Sequence, residues 1–308
     1  MTDREPALGA AAAAWFGWYA QMGVDCSLQD GPTAAFGDRF DAVSVRAGDE
    51  PARGGSRIGG SRVAAAFAGG SADTSGAAAA TIAGGAVARA RAVAAGCDGL
   101  EALRAALAAF DGCALRRTAS HCCFDDGDPA ARLMLVGDVP DDDEDEQGRP
   151  FAGRAGSLLD RMLAAIGLRR AEVWASDAVF WRPPGKRPVT PHERAVCRPF
   201  LERQIELVDP AVLLFLGRGG AATLLDLERG EARLRGRRSW YDRPADGRRI
   251  PALVTFHPTH LLRSPSNKRL AWRDLLTLAD MLAEVEAVAR GSSRERSGHD
   301  EAGRHAVH

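Results

Sequence analysis

The chain has 308 residues, 45% of them hydrophobic and 26% charged, with 40 Lys+Arg against 41 Asp+Glu. That length holds one sizeable core with extensions, and the near-cancelling charge gives no global basic field, so any contact with nucleic acid must come from a local patch. Six cysteines in a chain this long are no disulfide framework and leave reduced thiols or a metal site as the choices.

The chain opens on Met1-Thr2-Asp3-Arg4-Glu5, mixed in charge, and a short apolar run, so no secretory leader is expected. No stretch is apolar enough to span a bilayer, because the Ala-rich segment from Ala64 is broken by Gly69, Gly70, Asp73, Gly76 and Gly84. A cytoplasmic, soluble monomer with no membrane partner is expected. Residues 8–23 place Trp15, Phe16, Trp18, Tyr19 and Met22 at helical spacing, which makes 1–45 a helical extension. Residues 46–98 are rich in Gly and Ala and read as a linker, flexible over 46–80. Helical periodicity returns at 99–110 through Leu100, Leu103, Leu107 and Phe110.

From there strand and helix alternate. Leu133-Met134-Leu135-Val136 is a short apolar run ending at Gly137; 157–166 is helical; 173–180 is a strand closed by Arg182-Pro183-Pro184. Residues 191–207 form a helix with Pro191 in its first turn. A second buried run, 212–216, ends at Gly217 before a helix over 218–225; 252–256 is a third strand ending at His257-Pro258; and 268–288 is the closing helix. The tail 291–308 lacks large apolar residues and is expected to be disordered. Alternating elements with continuously apolar strands predict an α/β three-layer sandwich over 99–290, a mostly parallel sheet with helices on both faces. Its site belongs at the carboxyl ends of the strands, where three unusual loops fall: 137–156, 176–186 and 257–265.

These loops carry ordered motifs. They are Gly137-x-x-Pro140 with Glu144-Asp145, then Gly148-Arg149-Pro150-Phe151-Ala152-Gly153-Arg154-Ala155-Gly156, Arg182-Pro183-Pro184-Gly185-Lys186-Arg187, Cys197-Arg198-Pro199-Phe200, Leu216-Gly217, and His257-Pro258-Thr259-His260-Leu261-Leu262-Arg263-Ser264-Pro265. In that order and spacing they resemble the family-4 uracil-DNA glycosylases over roughly residues 100–285. The resemblance implies hydrolysis of the N-glycosidic bond of uracil, or another deaminated base, flipped out of damaged DNA during base excision repair. It implies Phe151 as the plate on which the base stacks and His257 as the donor to the uracil O2. Asp138 falls where the family usually has Glu, beside the sugar, to position water; Gly137 and Val139 flank it against the substrate. Asp177 falls where the family has an Asn that reads the Watson–Crick edge, and an ionised Asp can only accept there. Asp177 therefore either weakens uracil recognition and shifts base preference or caps the following turn. Arg182, Lys186 and Arg187 are candidates for phosphate contacts, and Leu261, Leu262 and Arg263 for a wedge filling the gap left by the flipped base.

Within the acidic run 141–146 only the preceding Asp138 is given a role; the rest reads as a solvated loop, with Asp141 obstructing close backbone approach. Family-4 enzymes often carry a [4Fe–4S] cluster on four Cys. The matching positions here are Phe110, Cys113, Trp181 and Cys197, only two of them Cys. No metal is expected unless other ligands complete Cys113 and Cys197. No lysine matches a lyase nucleophile, so hydrolysis is expected. The departures at Asp138, Asp141, Asp177 and Lys186 leave open a second class, a paralogue that binds DNA or another partner with little or no catalysis.

Overall fold

The computed structural model describes residues 74–225 and 235–304. The expected helix over 8–23 and the linker up to residue 73 lie outside them. Helix α1 (Thr74–Ala95) replaces the rest of the expected linker. Alanine has the highest helix propensity, and its small side chains allow close approach to a neighbour. Ala90 and Ala94, one turn apart, are buried in the core with Cys97. Helix α2 (Leu100–Ala109) follows and buries Leu103 and Leu107.

The sheet has six strands: β1 (Asp126–Gly127), β2 (Leu133–Gly137), β3 (Val173–Asp177), β4 (Val212–Leu216), β5 (Arg238–Asp242) and β6 (Arg249–Thr255), in the spatial order β1-β3-β2-β4-β6-β5. The four inner strands run parallel, and β1 and β5 pair antiparallel at the edges. The parallel sheet of the expected sandwich is thus present, with two antiparallel edges that periodicity did not signal, one being two residues long and the other mostly exposed. Strand β3 stops at Asp177; residues 178–180 leave the ladder, and the Phe180 carbonyl accepts instead from Cys123 N–H at 2.9 Å.

Successive side chains on a strand point to opposite faces, and both faces are covered. Met134, Val136, Leu213 and Phe215 join a core with α1, α2, helix α5 (Pro191–Val208) and helix α6 (Arg218–Leu224). Leu133, Leu135, Leu214 and Leu216 join a second core with helix α4 (Gly153–Ala164) and the closing helix α8 (Lys268–Arg304). Helix α8 continues past Gly291, where a disordered tail was expected; adding residues to a formed helix is far easier than nucleating one. Two short helices complete the chain at the strand ends, α3 (Asp142–Gln147) and α7 (Pro258–Arg263). No helix among the described residues is long and apolar enough to cross a membrane.

Candidate active site

Residues at or after the carboxyl ends of β2, β3 and β6 come together, although β4 lies between β2 and β6 in the sheet. Gly137 and Asp177 are paired in register at the ends of β2 and β3. A Cβ on Gly137 would lie 2.0 Å from an Asp177 carboxylate oxygen and 2.9 Å from Cζ of Phe151. The missing side chain therefore lets Asp177 and the Phe151 ring close over the strand end. His257, just after β6, stacks on Phe151 with ring centroids 5.7 Å apart and planes 28° from parallel.

Phe151 is buried and has φ +53°, a left-handed conformation that bulky residues rarely adopt. Such a backbone costs about 1–3 kcal/mol and persists only where its surroundings enforce it. The enforcing group is Glu144: one carboxylate oxygen accepts Phe151 N–H at 2.5 Å and the other accepts Asp141 N–H at 2.6 Å. Asp141 in turn caps α3 by accepting from Glu144 N–H at 3.1 Å. The acidic run is thus a capped helix rather than a solvated loop, and Glu144 and Asp145 are buried. Its signal was present in the sequence as Asp141-x-x-Glu144, a capping box. Asp141 turns into that cap rather than across the backbone. Burial, with Asp141 close by, pushes the Glu144 carboxyl up to about 7.

A cleft of about 680 Å³ opens in front of this cluster, lined among others by Asp138, Val139, Gly217, His257, His260 and Arg263, with Arg182, Lys186 and Arg187 at one side. Phe151 and Asp177 are buried and do not line this cleft; Phe151 borders a separate hollow together with Arg170. Asp138 is partly exposed and pairs with Arg194 of α5 at 2.9 Å, a partner that no motif pointed to. Its carboxylate also lies over Gly219, where a Cβ would come within 1.6 Å of it.

His257 is the N-cap of α7, its Nδ1 accepting from Thr259 N–H at 3.3 Å. Burial pushes the imidazole down to about 4, against the pull of Asp138. The ring is therefore neutral near pH 7, and because Nδ1 is the acceptor, Nε2 carries the hydrogen. A neutral imidazole presenting Nε2–H can donate to a carbonyl oxygen and strengthen that bond as negative charge develops.

The basic residues at the cleft mouth are engaged with the chain's own carboxylates. Lys186 pairs with Asp142 at 2.7 Å, Arg182 with Asp145 at 2.9 Å and with Asp142 at 3.1 Å, and Arg187 with Glu193 at 2.6 Å. The Arg187 partner holds the Glu193 carboxyl down to about 2. Arg263 is held by the backbone, Nε donating to Thr259 O at 3.3 Å. Of the expected wedge, Leu261 is fully buried in the second core, so it cannot reach DNA in this conformation, whereas Leu262 is partly buried at its edge. Helical geometry explains the difference: α7 must turn one apolar face to α4.

The four positions matched to cluster ligands do not fit a [4Fe–4S] group. The Phe110 ring packs edge-on to Phe200 at 5.2 Å, and Trp181 packs edge-on to Phe180 at 6.2 Å. All four side chains are buried in this core, where the Cys113 and Cys197 thiols hydrogen-bond each other. The Cys123 and Cys97 thiols donate to backbone carbonyls of Glu144 and Val93, both at 3.2 Å. Among the described residues no group of three or more Cys, His, Asp or Glu is arranged to hold a metal ion.

The strand ends of this α/β sheet thus bring a neutral imidazole to the wall of the cleft, with an aromatic ring stacked on it and a buried carboxyl beside that ring. A family model described as the Uracil DNA glycosylase superfamily matches residues 124–276. The chain is 36% identical over 169 residues to the "Type-4 uracil-DNA glycosylase" of Thermotoga maritima, covering 53% of this chain and 84% of that one. It is 37% identical over 157 residues to the protein of the same name from Archaeoglobus fulgidus, covering 50% and 78%, and 32% identical over 178 residues to that of Pyrobaculum aerophilum, covering 57% and 91%. The chain belongs to the uracil-DNA glycosylase superfamily, and these relatives are of its family-4 type.

Proposed function

We propose that the protein is a monofunctional DNA glycosylase that hydrolyses the N-glycosidic bond of uracil extruded from DNA, in base excision repair. The observation that carries this reading is Phe151, held in a left-handed backbone by Glu144 and facing His257 across the strand ends. A base stacked on Phe151 would bring its O2 to the Nε2–H of His257 and its 3,4-edge to Asp177. Asp138, at the cleft wall, would orient water toward the sugar carbon. Breaking the bond between C1′ and N1 leaves the electron pair on the base, where the His257 hydrogen bond stabilises it. Water adds its oxygen to C1′ and releases a proton, and protonation of N1 completes uracil and an abasic site. The only lysine at the cleft, Lys186, is tied to Asp142 at the rim, which suits hydrolysis better than a Schiff base.

The same reading takes the reaction to need no iron–sulfur cluster, since Phe110 and Trp181 pack where two thiolates would be required. It takes Arg182, Lys186 and Arg187 to exchange their internal carboxylate partners for DNA phosphates, which makes binding salt-dependent. The test is release of uracil from single- and double-stranded oligonucleotides, with His257→Ala as the control. Binding of abasic DNA without any base release would replace this reading with that of a DNA-binding paralogue.

A further inference from the structure

Asp177 is fully buried, and neither of its carboxylate oxygens has a hydrogen-bond partner among the described residues. Buried polar atoms without partners are rare in folded proteins and call for an explanation. The neighbours make ionisation costly. The carboxyl groups of Glu144 and Asp141 in the capped helix and of Asp138 at the end of β2 each oppose a negative charge on it when they are ionised, Cys123 adds a thiol, and Arg170 is the opposing cation. A lone carboxylate without donors, among three other carboxyl groups, gives up its charge by taking a proton.

Its place in the fold gives the two oxygens a purpose. Asp177 ends β3 beside Gly137, and the Cβ that Gly137 lacks would touch both the Asp177 carboxyl and the Phe151 ring. The orphan group therefore adjoins the plate on which a base would stack. We infer that Asp177 acts as an un-ionised carboxylic acid in the base seat, offering one O–H donor and one C=O acceptor to the 3,4-edge of a pyrimidine, and that it therefore accepts the edges of uracil and cytosine alike. This inference rests on the glycosylase reading and goes beyond it by naming the pyrimidine class that the seat admits.

The chemistry is symmetric. Uracil presents an O4 acceptor and an N3–H donor; cytosine presents an N4–H donor and an N3 acceptor. A carboxylic acid matches the first with its hydroxyl toward O4 and the second with its hydroxyl toward N3, and moving the proton from one oxygen to the other needs no heavy-atom motion. An amide in the same place has fixed donor and acceptor ends and must turn over to do the same. An ionised Asp177 has no donor and opposes O4, so uracil recognition weakens as the acid loses its proton.

The test measures inhibition of uracil release from a single-stranded oligonucleotide by free uracil and by free cytosine. It compares the unaltered protein with Asp177→Asn between about pH 6 and about pH 8.5, where both free bases stay neutral. Asp177→Asn is expected to raise the preference for uracil over cytosine by roughly tenfold or more. The unaltered protein is expected to lose affinity for uracil as pH rises, and the variant to keep it. An unchanged preference together with an unchanged pH profile overturns the inference while leaving the glycosylase reading intact. Absence of uracil release from the unaltered protein removes both. If Asp177→Asn fails to fold, the pH series is run on the unaltered chain and on Glu144→Gln, which removes the other carboxyl that titrates near 7; a loss of uracil affinity that survives in Glu144→Gln supports the inference, and one that disappears there overturns it.

Discussion

The imidazole of His257 lies face to face with the ring of Phe151, centroids 5.7 Å apart. A base sandwiched between two rings needs roughly 7 Å, two contact distances of about 3.5 Å. The imidazole therefore covers the plate, and a base that stacks on Phe151 must take that place while His257 turns its edge toward a carbonyl. That turn must give up the bond from Thr259 N–H to Nδ1, 3.3 Å long, that holds the ring where it is.

Removing the imidazole separates catalysis from binding. For His257→Ala the rate of uracil release under single-turnover conditions is expected to fall by about 10²–10³-fold, the cost of losing one donor to a developing anion. Inhibition by free uracil should change far less, because the cover on Phe151 is gone as well. Equal losses in both quantities would mean that His257 binds the ground state as tightly as the transition state.

The acid limb of activity reports the same group. Burial moves the His257 imidazole down to about 4 from an ordinary 6.5. The neutral donor thus persists as pH falls to about 4, and the stability linked to the shift is present above 6.5 and lost as pH falls through 4. Glu144 acts with the opposite sign. Its carboxyl is raised to about 7 from 4.5, so its contribution is full below 4.5 and lost as pH rises through 7. A profile of kcat/KM against pH should show no His257 inflection near 6.5, and the melting temperature should fall from pH 6 to pH 8 less steeply in Glu144→Gln than in the unaltered chain.

The pair of Asp138 and Arg194, 2.9 Å apart, fixes the carboxylate that would aim water. Asp138→Ala is expected to lower kcat by about 10²–10⁴-fold. Arg194→Ala should cost about tenfold, because it leaves the carboxylate in place but loose. In the double variant, little further loss beyond Asp138→Ala alone is the outcome that supports Arg194 acting through Asp138; additive losses would assign it a separate role.

Leu261 and Leu262 part company in α7. Leu261→Ala is expected to destabilise the fold by about 2–5 kcal/mol in chemical denaturation, the usual cost of a cavity at a fully buried leucine. Leu262→Ala should cost less stability and weaken binding to duplex DNA containing an abasic site. Reversal of this pattern would place Leu261 in the wedge after all.

The packing of Phe110 and Trp181 predicts a colourless protein. Chain purified without oxygen should contain no stoichiometric iron and show no charge-transfer absorption in the visible range. A brown protein with iron bound would require Cys113 and Cys197 to find further ligands.

The sequence by itself determined the layers, and it pointed to the strand-end loops that carry the candidate site. Runs such as Leu133–Val136 and 212–216 are too continuously apolar for a half-exposed strand, and the loops that follow them repeat a family's spacing. It also carries the Asp141-x-x-Glu144 capping box inside a run whose acidity suggests a solvated loop. That box turns an acidic loop into a helix and places Glu144 where it can bend the backbone at Phe151. Other features depend on contacts between segments distant along the chain. The pairing of Asp138 with Arg194 spans 56 residues, and the orphaned state of Asp177 depends on which carboxyl groups close around it. Leu261 and Leu262 are the same residue type at adjacent positions, and only the packing of α7 on α4 decides which one is core. Residue types and spacing are local properties and survive in a string of letters; burial and charge environment are sums over neighbours in space, which only the folded chain supplies.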